Sequence, residues 1–119
     1  MAQALKKTPL YELHRELGAK LTEFAGYEMP VQYSLGILGE HQHTRAKAGL
    51  FDVSHMGQVI LRGKSYQETA HALERAIPMD VLSLAEGRQR YGFLTTDNGG
   101  ILDDLMFSNR GDHIFVVLN

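Results

Sequence analysis

Apolar positions along the chain switch between helical and strand spacing, and the switches mark its elements. Leu10, Leu13, His14 and Leu17 fall three and four apart behind Thr8 as an N-cap and Pro9 at the first helical position, and Gly18 closes the stripe. That spacing predicts a short amphipathic helix. Residues 20–33 favour extended structure, with Phe24, Tyr27, Val31 and Tyr33 set around Gly26 and Pro30 as breaks. Ser34 is placed to cap a second helix that runs to about Lys47 and is closed by Gly49. Leu50-Phe51-Asp52-Val53 and Gln58-Val59-Ile60-Leu61 read as strands on either side of Ser54-His55-Met56-Gly57. Tyr66, Thr69, Leu73 and Ile77 share one face of a third helix from Ser65 to about Ala76, which Pro78 stops.

Three strands follow, Arg90 to Thr95, Ile101 to Phe107, and His113 to the end. Their links, Asp97-Asn98-Gly99-Gly100 and Asn109-Arg110-Gly111-Asp112, carry hairpin turn chemistry. Sequential hairpins make an antiparallel sheet, so the class is α+β, an antiparallel sheet flanked by short helices. No repeat, low-complexity tract or Pro/Gly-rich linker divides the chain, and residues 1–119 read as part of one domain. The last segment, Ile114-Phe115-Val116-Val117-Leu118-Asn119, is an apolar strand without a cap or polar tail. Domain ends are usually polar and exposed, which leads us to expect that the chain is a piece of something longer and that, with apolar surface or an open sheet edge exposed, it self-associates or is marginally stable.

The central strand of this trio carries the unusual chemistry. Gly99-Gly100-Ile101-Leu102-Asp103-Asp104-Leu105 puts two adjacent carboxylates in a run that reads as a buried strand behind a turn. Removing a charge from water costs several kcal/mol unless it is paired or neutralised, so such an acid is a candidate for chemistry, with a turn or a structural hydrogen bond as the bland alternative. Alternation puts Ile101, Asp103, Leu105 and Phe107 on one face and Leu102, Asp104 and Met106 on the other. Both faces are apolar, so periodicity does not choose between the acids. Either would suit a pocket that binds the amino-pyrimidine edge of a heterocycle or exchanges a proton.

Composition narrows the classes. The 119 residues are 44% hydrophobic and 22% charged, typical of a soluble globular domain, and a formal charge of −2 with scattered basic residues leaves no electrostatic footprint for nucleic acid or an anionic membrane. With no cysteine there is no disulfide, thiolate nucleophile or Cys-based metal site. No apolar run approaches the roughly 18 residues that span a bilayer, and the chain reads as cytoplasmic. Walker, GxGxxG, HExxH and GxSxG patterns are missing. His41-x-His43 with His55 invites a metal, but residues two apart on a helix point to different faces, so no metal site is expected. Asp52-x-Ser54-His55 holds the residue types of a hydrolytic triad, but neighbours on one strand do not reach one another. Met56 and Tyr91, taken alone, are ordinary core residues.

Five blocks taken together are specific. Thr8-Pro-Leu-Tyr-Glu-Leu-His14, Phe24-Ala-Gly-Tyr27 with Met29-Pro-Val-Gln-Tyr33, Glu40-His-Gln-His-Thr-Arg45, Gly49-Leu-Phe-Asp-Val-Ser-His-Met56 and Gly99-Gly-Ile-Leu-Asp-Asp-Leu105 closely resemble the T-protein, or aminomethyltransferase, family of the glycine cleavage system. The resemblance runs from Thr8 to Asn119 and covers about the first third of the family's usual length. It implies the incomplete N-terminal part of a folate-binding fold, with further folate ligands, among them a glutamate and arginines, lying beyond Asn119.

The resemblance also implies an activity. In that family an aminomethyl group carried on the lipoyl arm of H-protein gives its methylene to tetrahydrofolate, releasing ammonia. The second aspartate of the Gly-Gly-Ile-Leu-Asp-Asp block is the essential acid, here Asp104, and the pterin pocket uses the methionine of Ser-His-Met, here Met56. Tyr91 is expected to join that pocket, and the Val-x-Asn segment matches Val117 and Asn119. The implied partners are tetrahydrofolate and lipoylated H-protein in a bacterial-type cytoplasm. Two other readings stay open: a folate-dependent demethylase or the folate domain of a dehydrogenase, and a non-catalytic folate-binding module.

Overall fold

The structure, a computed structural model, describes residues 4–119 and forms two compact units, one through His55 and one over Met56–Asn119. It is α+β, as the hairpin signals predict. The first unit holds helix α1 (Tyr11–Glu16), strands β1 (Lys20–Phe24) and β2 (Tyr27–Gln32), and helix α2 (Gly36–Ala46). The hairpin between β1 and β2 turns on Ala25 and Gly26, whose φ angles of 51° and 79° are the left-handed pair that lets a two-residue turn follow the strand twist. Lys6 adds a short parallel bridge to Tyr27, closed by Lys6 N–H on the Gly26 carbonyl and Glu28 N–H on the Lys6 carbonyl, both 2.9 Å.

Four local expectations are corrected in this unit. Thr8 does not cap α1: the helix begins at Tyr11 behind Leu10, and the Thr8 hydroxyl donates instead to Asp52 Oδ2 at 3.3 Å. Ser34 does not cap α2 either, since that helix starts at Gly36 after a turn and has no side-chain cap. Pro30 does not break the extended segment; it lies within β2 opposite Leu21, where the register slips, and a two-stranded ribbon at a slip tolerates a residue with no N–H. Leu50-Phe51-Asp52-Val53 forms no strand. Apolar residues alone do not make one without a neighbour to accept the backbone bonds, and here Asp52 instead takes the Ser54 N–H at 2.8 Å and bends the segment into a turn.

That carboxylate is the hub of the unit. His14, 6% exposed, lies 2.6 Å through Nε2 from Asp52 Oδ2 and 2.7 Å through Nδ1 from the Tyr33 hydroxyl. A carboxylate only accepts, so Nε2 donates to Asp52, while Nδ1 shares its hydrogen bond with the Tyr33 hydroxyl. Burial raises the Tyr33 phenol, and the nearby carboxylates of Glu40 and Asp52 raise it further, which keeps it protonated. Asp52 also accepts the Ser54 hydroxyl at 2.6 Å. One side chain thereby ties the N-terminal segment, α1 and the 52–54 turn together.

The second unit is a four-stranded antiparallel sheet with helix α3 (Tyr66–Glu74) against it. Strands β3 (Gly57–Leu61), β4 (Gln89–Thr95), β5 (Ile101–Asn109) and β6 (Ile114–Leu118) run in the order β3-β6-β5-β4. The Ser65 hydroxyl caps α3 by accepting the Glu68 N–H at 3.2 Å. Ala70 and Leu73 of the helix, Ile77, Val81 and Leu84 after it, and Leu105, Phe107, Ile114 and Val116 of the sheet make one core. Each large side chain buried there stabilises the fold by about 1.5–3 kcal/mol. Gly92 lets β4 approach closely, since a Cβ there would come within 2.8 Å of Met79 Cγ and 3.3 Å of Phe107 Cε1. The chain between α3 and β4 is held by polar contacts: Glu74 Oε1 accepts the N–H groups of Val81 and Leu82 at 2.8 Å each, and buried Asn109 donates to the Leu84 carbonyl at 2.7 Å.

The Asp52 hub predicts an acid-sensitive first unit. Burial pushes the Asp52 carboxyl up, but the hydrogen bonds from Ser54, His14 and Thr8 outweigh it and bring it down to about 2, from an ordinary value of 3.8. A carboxyl lowered by folding contributes stability that is present above its ordinary value and is lost as pH falls toward its folded value. Stability should therefore drop between pH 4 and pH 2. Asp52→Asn should remove this dependence and cost about 2 kcal/mol at neutral pH, both readable from circular-dichroism melts.

Candidate functional site: the open face of the sheet

Strand alternation in the second unit sends alternate residues to the core and to the opposite face of the sheet. Leu105 and Phe107 enter the core, so their neighbours in β5, Asp104 and Met106, lie on the opposite face. The register then aligns whole rows. Tyr91, Met106, Val117 and Gln58 are consecutive partners across all four strands. Phe93 pairs with Asp104, and beyond the Gly57↔Leu118 and Leu105↔Leu118 pairs Met56 precedes β3 and Asn119 follows β6. Tyr91, Asp104 and Val117 thus share one face, Asn119 reaches it through its side chain, and Met56 lies in the bend just before β3. Tyr91 stands on the edge strand β4 and Met56 directly precedes the opposite edge strand β3, with β5 and β6 between them.

The polar centre of that face is tightly bonded. The Tyr91 hydroxyl donates to Asp104 Oδ2 at 2.9 Å, and the Asn119 side-chain amide donates to Asp104 Oδ1 and to Asp103 Oδ1 at 2.8 Å each. Tyr91 and Phe93 pack edge to face, with ring centroids 5.1 Å apart. The face is largely open: Tyr91 is 48% and Ile60 51% exposed, with Phe93, Met106, Phe115 and Val117 half-buried. Two ring systems beside a carboxylate can stack a flat heterocycle and receive its N–H groups.

Tertiary structure settles what the periodicity left open about the two acids. Asp104 lies on the open face, whereas Asp103 pairs with Leu94 on the core side at the end of the sheet. Phe93 was not among the candidates, although it has the same parity in β4 as Tyr91 and alternation alone could have found it. The bridge from Asn119 to both carboxylates has no sequence signal, because it joins residues of two strands at the end of their ladder.

The remaining candidates lie in the first unit. His41 and His43 sit exposed on α2, and His55 packs edge-on against Phe24 at 5.4 Å and Tyr27 at 6.3 Å. Ser54 and Asp52 do meet, contrary to the strand argument, because the segment is a turn. The Ser54 hydroxyl donates to Asp52 Oδ1 and His14 bonds to Oδ2, so both bond to the carboxylate rather than to each other, which is not the serine–histidine–aspartate relay of a triad.

The family described as GCVT N-terminal domain matches residues 10–119. The chain belongs to this family. It is 48% identical over 115 residues to the mitochondrial aminomethyltransferase of Dictyostelium discoideum, covering 97% of this chain and 28% of that protein. It is 50% identical over 115 residues to the aminomethyltransferase of Rubrobacter xylanophilus, covering 97% and 30%. The crystal structure of glycine cleavage system aminomethyltransferase T from Bartonella henselae superposes with a TM-score of 0.90 at 45% identity, over 97% of this chain and 31% of that one. The chain thus spans less than a third of the length of these relatives. Among the described residues no helix is long and apolar enough to cross a membrane.

The Tyr91–Asp104 contact makes a direct prediction. The hydrogen bond to Asp104 raises the Tyr91 phenol above its ordinary value of 10.0, with desolvation and the carboxylate charge adding to it. Asp104→Asn removes the charge and weakens the acceptor, so Tyr91 should ionise at lower pH in the variant, as followed by NMR of 13C-labelled tyrosine.

Proposed function

We propose that this chain supplies the Asp104 wall of a tetrahydrofolate site and takes part in aminomethyl transfer: the methylene of an aminomethyl group on lipoylated H-protein passes to tetrahydrofolate, ammonia leaves, and dihydrolipoyl H-protein remains. The observation that carries the reading is a carboxylate held by donors on both sides, on an open face lined by Tyr91 and Phe93, in a chain of the GCVT N-terminal domain family. Tetrahydrofolate supplies the nitrogens that receive the methylene. Asp104 is the catalytic residue, Tyr91 and Phe93 stack the pterin, and Met56, Val117 and Asn119 line the rest of the face. We take the bacterial-type cytoplasmic setting from the sequence resemblance.

The physical fit lies in the charge. The reacting centre becomes cationic as ammonia departs, and a carboxylate already oriented by Tyr91 and Asn119 stabilises that charge without having to reorganise. Asp104 can also carry a proton between the leaving amine and the folate nitrogen. Binding and chemistry make separate demands, which gives the reading its test.

In a chain extended to the length of its relatives and supplied with aminomethylated H-protein and tetrahydrofolate, Asp104→Asn should lower kcat roughly 100-fold or more while leaving tetrahydrofolate affinity nearly unchanged. Asp103→Asn should cost less. Equal, small losses in the two variants would remove Asp104 from its role, and folate binding without any turnover of the H-protein substrate would favour a non-catalytic folate module.

A further inference from the structure

We infer that Asp103 and Asn119 are positioning residues that hold the Asp104 carboxylate in one orientation on the open face of the sheet. Backbone pairing between β5 and β6 ends at Leu105↔Leu118. One residue further, the partner of the Asn119 N–H is no backbone carbonyl but the side chain of Asp103, whose Oδ2 accepts it at 3.2 Å. Asp103 Oδ1 accepts both the Asp104 N–H at 2.9 Å and the Asn119 amide at 2.8 Å. The core-side acid thus holds both the backbone N–H and the side-chain amide of Asn119.

The consequence falls on Asp104. A primary amide has two donor hydrogens, and Asn119 spends them on Asp103 Oδ1 and Asp104 Oδ1. Because both carboxylates only accept, the amide has one workable orientation, with its nitrogen between them. Asp104 Oδ2 is taken from the other side by the Tyr91 hydroxyl. Donors from β4 and β6 therefore grip the two oxygens of the acid on the strand between them. In this chain of contacts Asp103 is used as an acceptor, and an asparagine at 103 keeps its carbonyl oxygen for the Asn119 amide while giving up the longer 3.2 Å contact.

The catalytic meaning of this grip rests on Asp104 being the reacting acid, whereas the grip itself is measured without any folate. Three-bond couplings about the Asp104 Cα–Cβ bond, recorded on the isotope-labelled chain, should report a single rotamer. Asp103→Ala and Asn119→Ala should each turn these into averaged couplings while the amide spectrum of β4, β5 and β6 keeps its folded dispersion, and Asp103→Asn should retain the single rotamer. A single rotamer that survives in an alanine variant overturns the inference, since Tyr91 would then be enough, and so does averaging in the unsubstituted chain or in Asp103→Asn. If one alanine variant fails to fold, the other decides the matter. A fixed Asp104 in a protein that does not bind tetrahydrofolate would leave this inference standing while removing the functional reading above.

Discussion

Strand β5 is paired on both sides, with β4 along one edge and β6 along the other, and that double pairing fixes which way each of its side chains faces. A strand with one free edge can slip or twist to change its exposure, but a slip of one residue here would exchange the two faces and drive Asp104 and Met106 into the core in place of Leu105 and Phe107. Phe107 is fully buried and Leu105 is 3% exposed, so the hydrophobic cost of that exchange is several kcal/mol. The apolar core thereby sets the position of the one acid that the open face displays. Packing on one side of the sheet and the placement of Asp104 on the other are a single constraint.

The first unit relies on a different kind of interaction. Its strands form only a two-stranded ribbon, and α2 buries none of its residues, so little apolar packing organises it. A single buried carboxylate does the organising instead. Asp52 gathers hydrogen bonds from His14, Thr8 and Ser54, and the net effect is a carboxyl held well below its ordinary value. Charge-assisted bonds of this kind are stronger than neutral ones and directional, which suits a turn that must take one shape. The two units thus represent two ways of specifying structure, one through volume and one through a polar hub.

In both units a short polar group stands where regular secondary structure runs out. Asp52 takes over at the 52–54 turn, where no strand partner exists, and Asp103 takes over where β6 passes its last backbone pair. Glu74 does the same for Val81 and Leu82 between α3 and β4. Backbone N–H groups require acceptors wherever the chain leaves a ladder, and a carboxylate is a strong one. The same demand explains why Asp52, Glu74 and Asp103 each accept backbone N–H groups.

By itself the sequence determined the elements whose signal is local. The apolar spacing of α3, the hairpin turns at 97–100 and 109–112, and the alternation of β4, β5 and β6 all follow from neighbours a few residues apart, and so does the α+β class. The family could be read from short blocks in order, because motif recognition needs no contacts. What the sequence misjudged was each place where a distant group outbid the local signal. Thr8 looked like a cap and went to Asp52, 44 residues away; Leu50–Val53 looked like a strand and had no partner; Asp52 and Ser54 looked unable to meet and did so in a turn. Which of Asp103 and Asp104 faces outward was equally beyond it. Alternation divides a strand into two faces but does not label them, and the label came only when Leu105 and Phe107 found α3 and the rest of the core to bury against.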